Sequence, residues 1–179
     1  AQGFGMTELT CIATNMTPAA HERAASGEPG LLLSAGRPQM GTEIKIADEN
    51  DEELPRGQVG QILVRGPQTM MGYWRLPEAT DSALKGGWMH TGDAGYMDEE
   101  GFIYIQDRIK DMIVSGAENI YPAEVERAIF EHPAVADTAV VGIPGEPWGE
   151  TGLAVVALKS GQTLELDTLQ AFCRERLAG

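Results

Sequence analysis

Four short segments carry the side chains from which a reactive site could be built. In Gln2-Gly3-Phe4-Gly5-Met6-Thr7-Glu8, two glycines flank an aromatic ring, and a hydroxyl and a carboxylate follow. Gly3 and Gly5 let the backbone run close to a flat ligand on which Phe4 could stack. Thr7 suits a phosphate oxygen. Glu8 is the hard oxygen donor that Mg²⁺ takes, usually one or two carboxylates beside substrate phosphates. A Gly-rich turn entering a helix accounts for the same residues equally well. In Trp88-Met89-His90-Thr91-Gly92-Asp93, a carboxylate at a strand end after a glycine could accept both hydroxyls of a ribose. Taken alone, an Asp that closes a turn is the plainer reading. His90 has no second His or Cys at ligand spacing and reads as structural.

The third segment is Asp107-Arg108-Ile109-Lys110-Asp111. Such a charge run is usually a solvated surface whose ion pairs contribute little. Its position between two differently patterned regions is what sets it apart: an Arg fork there could hold nucleotide oxygens, and the Lys could mark a bend. The fourth is Ser115-Gly116-Ala117-Glu118-Asn119-Ile120-Tyr121-Pro122, whose small residues could admit something narrow. A strand-to-helix connection explains Gly116 and Pro122 without any ligand.

The elements around these segments follow from periodicity. Ile44 and Ile46 alternate with Glu43 and Lys45 over 42–48, and a second strand runs from Val59 to Arg65. The acidic stretch 48–53 between them is a solvated turn ending at Pro55. Phe102 to Gln106 is a third strand, entered through Asp98-Glu99-Glu100-Gly101. Beyond Asp111 the pattern changes. Pro122 suits a first helical turn, Val125, Ala128 and Ile129 recur at helical spacing, and His132-Pro133 ends the helix. Strands are expected at Val135–Val141 and Leu153–Leu158. A last helix is expected from Asp167, with Gln170 as a capping-box partner and Leu169, Phe172, Cys173 and Leu177 as its apolar stripe. That stripe makes Cys173 a core residue. The fold class is therefore α+β, a small antiparallel β-barrel-like unit followed by a small α+β unit.

Composition narrows the functional classes. The 179 residues include 27 acidic and 13 basic side chains, a formal charge of −14, against a sequence-blind nucleic-acid binder. Two cysteines exclude a disulfide-rich scaffold and a multi-cysteine zinc site. The longest apolar run, about Leu153 to Leu158, falls far short of the roughly 20 residues a membrane span needs. No secretory signal opens the chain, so a cytoplasmic protein is expected.

In this order, GFGMTE, GQVGQILVRGPQTMMGYW, GGWMHTGD, GFIYIQDRIKDMIVSGAENIYPAEVE and AVVGIPGEPWGE resemble the adenylate-forming (AMP-binding) superfamily of acyl-CoA synthetases, peptide-synthetase adenylation domains and luciferases. The resemblance runs through essentially the whole chain. AENIYPAEVE resembles the acyl-CoA synthetase, or fatty-acid–CoA ligase, branch. That resemblance implies an enzyme using ATP and Mg²⁺ to form an acyl-adenylate, then transferring the acyl group to coenzyme A. It assigns Gln2, Gly3, Phe4 and Gly5 to the nucleotide, Thr7 to a phosphate, Glu8 to Mg²⁺, and Asp93 and Arg108 to the ribose. Lys110 falls at the family's hinge, and Gly116, Ala117 and Glu118 at the CoA passage. Ala117 departs from the branch, which usually has a second Gly; a positive φ there would cost about 1–2 kcal/mol.

The family's upstream phosphate-binding loop and its C-terminal catalytic Lys have no counterpart here, and the surroundings of Lys159 do not match the latter. The expected organisation is thus 1–109 as the end of a large AMP-binding domain and 110–179 as a truncated small C-terminal lid, inactive alone although the parent adenylates. The expected partners are a carboxylic acid, ATP and CoA, with a homodimer left open and no nucleic acid. Two other readings stand beside this one: loading of a carrier protein, and a non-catalytic nucleotide-binding or scaffold homologue.

Overall fold

Alternating isoleucines become facing pairs. In the computed structural model, which describes residues 2–116 and 118–177, Ile44 stands opposite Val64 and Ile46 opposite Ile62 across an antiparallel ladder. Such cross-strand apolar pairs are the unit from which a sheet gains stability. The first elements in chain order are β1 (Thr14–Asn15), α1 (Pro18–Ala25), β2 (Arg37–Pro38), β3 (Glu43–Ala47) and β4 (Gly60–Arg65). They are followed by α2 (Pro77–Ala83), β5 (Met89–Met97), β6 (Ile103–Arg108), β7 (Ile113–Ser115) and β8 (Glu118–Ile120). The last are α3 (Pro122–Phe130), β9 (Val135–Gly145), β10 (Gly149–Leu158) and α4 (Leu166–Arg174). The protein is α+β, and it divides into two units after Ile105, inside β6. Among the described residues no helix is long and apolar enough to cross a membrane.

The first unit is built on a four-stranded sheet ordered β3-β4-β5-β6, with β1 and β2 paired separately. The sheet stays open instead of closing into a barrel. Ile62, Leu63 and Val64 of β4 are fully buried, because β4 lies inside the sheet and is covered on both faces. One core joins Ile46, Ile62, Val64, Met89, Met97 and Ile103 to the N-terminal residues Phe4, Leu9 and Ala13. A second packs α1 through Ala20 and Ala24 onto Met16, Leu31 and Phe102. Helix α1 starts where its residues favour it, with Pro18 in the first turn and Thr17 Oγ1 accepting the Ala20 N–H at 3.2 Å. The acidic tip is an Asx turn, in which Asp48 Oδ1 accepts the N–H groups of Asn50 and Glu52 at 2.9 Å each.

The second unit carries the sheet β8-β7-β10-β9. Its core is Ile113, Ile129, Val135 and Val140, with Val125, Leu169 and Cys173 packed against it. Burial pushes the Cys173 thiol up, consistent with a core role. The expected helix, strand, strand, helix order is present, with three differences. The segment read as a loop at 115–119 is the β7–β8 hairpin, with Ser115 opposite Glu118; Ala117 lies outside the described residues. Strands β9 and β10 extend to meet as one long hairpin. Helix α4 begins at Leu166 after Glu165 with no side-chain cap, so the capping box expected at Asp167 and Gln170 is not formed.

Candidate functional site

The N-terminal segment folds back on itself. Phe4 O accepts the N–H groups of Ala13 and Thr14, Gln2 O accepts that of Met16, and Phe4 N–H donates to the buried Thr14 hydroxyl at 2.8 Å. This return explains the glycines in a way that the sequence alone does not. A Cβ on Gly3 would stand 2.5 Å from Thr14 O, and one on Gly5 would collide with the Cys11 carbonyl. Their close approach is therefore to the chain's own backbone. Phe4 also differs from expectation. The residue is 9% exposed and belongs to the core of Ile62 and Met89, so most of it is enclosed by the protein itself. Burying such a side chain contributes about 1.5–3 kcal/mol, which exposure to an empty pocket would forfeit. Gln2, Gly3 and Gly5 remain exposed.

Thr7 and Glu8 lie in a 3₁₀ turn, Thr7–Leu9, whose exit places Thr10 and Cys11 at positive φ. Thr7 is exposed and Glu8 half-buried. The segment 66–76 straps onto this turn. Thr10 Oγ1 donates to Gln68 O at 2.8 Å, Met70 N–H to Glu8 O at 2.8 Å, and the Tyr73 phenol to Glu8 Oε1 at 2.8 Å. The carboxylate that accepts its hydrogen pushes the ionisation of Tyr73 up. Among the described residues, Glu8 Oε2 takes no hydrogen bond. Nor do any three His, Cys, Asp or Glu side chains gather to hold a metal there. One half-buried carboxylate with an oxygen in reserve fits Mg²⁺, which keeps waters and substrate oxygens as its other ligands. It does not fit a metal needing several protein ligands.

Asp93 is not at a strand end. It lies inside β5, on a bulge. Gln61 of β4 faces Ala94 and Leu63 faces His90, so Ile62 alone stands opposite Thr91, Gly92 and Asp93. Gly92 takes a φ of +75°, and Thr91 Oγ1 ties the bulge by donating to Ile62 O at 2.8 Å and accepting the Asp93 N–H at 3.1 Å. Bulges re-aim side chains in this manner and are common beside active sites. Asp93 is 8% exposed. The bulge that carries it is anchored to Ile62, which shares a core with Phe4. His90 is structural, as read: its Nε2 lies 2.9 Å from Asp51 Oδ1 and its Nδ1 3.1 Å from Trp88 O.

In the second unit, Arg108 ends β6 and Lys110 sits in the 3₁₀ turn Ile109–Asp111, both exposed. Asp107, part of the same charge run, is a helix cap: its Oδ2 accepts the Ala123 N–H at 2.9 Å in the first turn of α3. Lys110 and Asp107 border a cavity of about 490 Å³ that also meets Glu126 and Glu150. Those two carboxylates accept the N–H groups of Val140 and Val114, so Glu126 ties α3 to β9 and Glu150 ties β10 to β7. Gly116 has a φ of +63°, its N–H donates to Trp148 O at 2.8 Å, and a Cβ on it would stand 2.8 Å from the Trp148 ring. Glu118 is exposed on β8. Tyr73 and Trp148 were not singled out by sequence, since each meets its partner only through the fold.

Comparison with known proteins adds to this geometry. Residues 1–74 match the family model for AMP-binding enzymes, and residues 124–179 match that for the AMP-binding enzyme C-terminal domain. A feruloyl-CoA synthase of an Amycolatopsis species is 44% identical over 99% of this chain and 35% of its own. A fatty acid–[acyl-carrier-protein] ligase, ScoC of Streptomyces coeruleorubidus, is also 44% identical, over 99% of this chain and 34% of its own. The Bacillus subtilis O-succinylbenzoate coenzyme A synthetase, solved with ATP and magnesium ion, superposes with a TM-score of 0.83 at 38% identity, covering 99% of this chain and 35% of that one. The chain thus spans about a third of the length of the relatives it matches.

Proposed function

Because the chain belongs to the AMP-binding enzyme family, we propose that the protein carrying it is an AMP-forming acid–thiol ligase that activates a carboxylic acid with ATP and passes the acyl group to coenzyme A. A carboxylate oxygen attacks the α-phosphorus of ATP, the bond from that phosphorus to the bridging oxygen of the β-phosphate breaks, and pyrophosphate leaves. The CoA thiolate then attacks the acyl carbonyl carbon, and the bond to the AMP oxygen breaks. Adenylation replaces an oxide leaving group with AMP, and the protein contributes positioning and charge compensation.

On this reading the exposed backbone of Gln2, Gly3 and Gly5 borders the adenine, with Phe4 supporting it from the core. Thr7 donates to a phosphate oxygen. Glu8 holds Mg²⁺, which, when bound, compensates the phosphate charge. Asp93 and Arg108 accept from and donate to the ribose oxygens. Lys110 is the pivot between the large domain (1–109) and the lid (110–179), and Gly116, Ala117 and Glu118 line the acceptor's passage. The observation that supports this reading most is Asp93, a carboxylate 8% exposed on a bulge that strand pairing does not require.

The identity of the carrier-protein ligase keeps a second acceptor open, a phosphopantetheinyl carrier in place of free CoA. Carboxylate-dependent exchange of labelled pyrophosphate into ATP tests the first half-reaction, over fatty, aryl and short branched acids. Exchange with at least one of them is expected. Its absence with all of them, in a protein that melts cooperatively, contradicts the reading. Thioester formation with free CoA against an apo-to-holo converted carrier then separates the two acceptors.

A further inference from the structure

We propose that Tyr73 is a positioning residue for Glu8, fixing one carboxylate oxygen so that the other faces a divalent cation. The proposal rests on Glu8 being the cation-binding carboxylate. A glutamate side chain has three rotatable bonds and loses that freedom when it binds an ion. Here the ordering is done beforehand. The Tyr73 phenol donates to Oε1 at 2.8 Å across 65 residues of chain. The backbone behind the phenol is held in turn: Tyr73 N–H donates to Thr80 Oγ1 at 2.9 Å, and that hydroxyl donates to Leu76 O at 2.9 Å. Gly72 permits the contact, since its φ is +147° and a Cβ there would stand 2.7 Å from Thr80 Cγ2. The two further ties, Met70 N–H to Glu8 O and Thr10 Oγ1 to Gln68 O, hold the backbones together on either side. A neutral donor suits the task. A lysine in its place would pair with the carboxylate and cancel the charge that attracts the cation, whereas the phenol orients Glu8 and leaves that charge intact.

The test compares Tyr73→Phe, Glu8→Gln and the double variant in the protein carrying this chain. Mn²⁺ affinity is read by electron paramagnetic resonance in the presence of α,β-methylene ATP, and pyrophosphate exchange is followed against free Mg²⁺. Tyr73→Phe is expected to weaken Mn²⁺ and raise the half-saturating Mg²⁺ by about tenfold, the usual scale for an orienting partner of a ligand, while the rate at saturating Mg²⁺ stays within about twofold. The double variant is expected to match Glu8→Gln. Unchanged cation affinity in Tyr73→Phe, or additive effects in the double variant, overturns the role of Tyr73 while leaving Glu8 in place. Wild-type Mn²⁺ affinity in Glu8→Gln overturns the reading of Glu8, and this proposal with it. If Tyr73→Phe fails to fold, Thr80→Val is judged by the same criteria, because it releases the backbone behind the phenol.

Discussion

Thr91 donates its hydroxyl hydrogen to the Ile62 carbonyl at 2.8 Å, and this bond closes the bulge on which Asp93 stands. The same oxygen accepts the Asp93 N–H at 3.1 Å. Thr91→Val keeps the shape and removes both bonds in a buried place. It should cost about 1–3 kcal/mol, the usual penalty for leaving buried polar groups unsatisfied. A denaturant midpoint that falls with an unchanged slope is the expected result; an unchanged midpoint would mean that the hydroxyl does not hold the bulge.

Two glycines at positive φ separate strain from collision. Around Gly92 a Cβ meets nothing within 4 Å, so Gly92→Ala should cost only the backbone penalty, about 1–2 kcal/mol. Gly116→Ala should cost more and shift the fluorescence of Trp148, because there the Cβ meets the indole at 2.8 Å. Adding Trp148→Ala to Gly116→Ala should bring the loss back to that of Gly92→Ala. Equal losses in the two single variants would show that the indole yields freely.

Asp107 caps α3 from outside the helix. Asp107→Ala should lower stability by about 0.5–2 kcal/mol, and Asp107→Asn by less, since the amide oxygen still accepts the Ala123 N–H. Thermal melting of the two variants checks this. Equal losses would point to charge, not acceptance, as what the cap supplies.

Asp51 gives the acid limb of the stability curve a specific origin. Lys85 and His90 beside it hold its carboxyl at about 2, against an ordinary 3.8. A depressed folded value means that the native state binds fewer protons than the unfolded state in this range. Its contribution is therefore complete above about 3.8 and is lost as pH falls towards about 2. Asp51→Asn suits the positive φ of +65° there and removes the charge. The variant should be less stable than the parent near neutrality, and the two should converge only as pH falls through about 2. Parallel curves throughout would assign the acid limb to other groups.

What sequence reveals here, and what it hides, follows from the range of each interaction. The shared face of Ile44 and Ile46 was readable as period-two alternation, because a strand's faces are set by its own residues, whereas their partners Val64 and Ile62 come from the ladder. Pro122 marked its helix start for a similarly local reason. The Asp93 bulge was not readable, because Thr91-Gly92-Asp93 becomes a bulge only once β4 offers a single residue opposite it. The burial of Phe4 was hidden for the same kind of reason: an aromatic between glycines gives no sign of the return of residues 11–14 and the sheet core that enclose it. The caps went wrong in both directions. Asp167 and Gln170 had the right spacing without forming a box, while Asp107 caps a helix that begins 15 residues later. Tyr73 meets Glu8 only across 65 residues, and nothing local announces it.

The role of Asp93 can be read with AMP and 2′,3′-dideoxy-AMP as probes, by calorimetry on the parent and on Asp93→Ala in the protein carrying this chain. If the carboxylate grips the ribose hydroxyls, the parent prefers AMP by about tenfold or more, the scale of hydrogen bonds to a charged group, and Asp93→Ala binds both nucleotides alike. A variant that still prefers AMP as strongly as the parent does would contradict the ribose-binding role and the nucleotide site built around it.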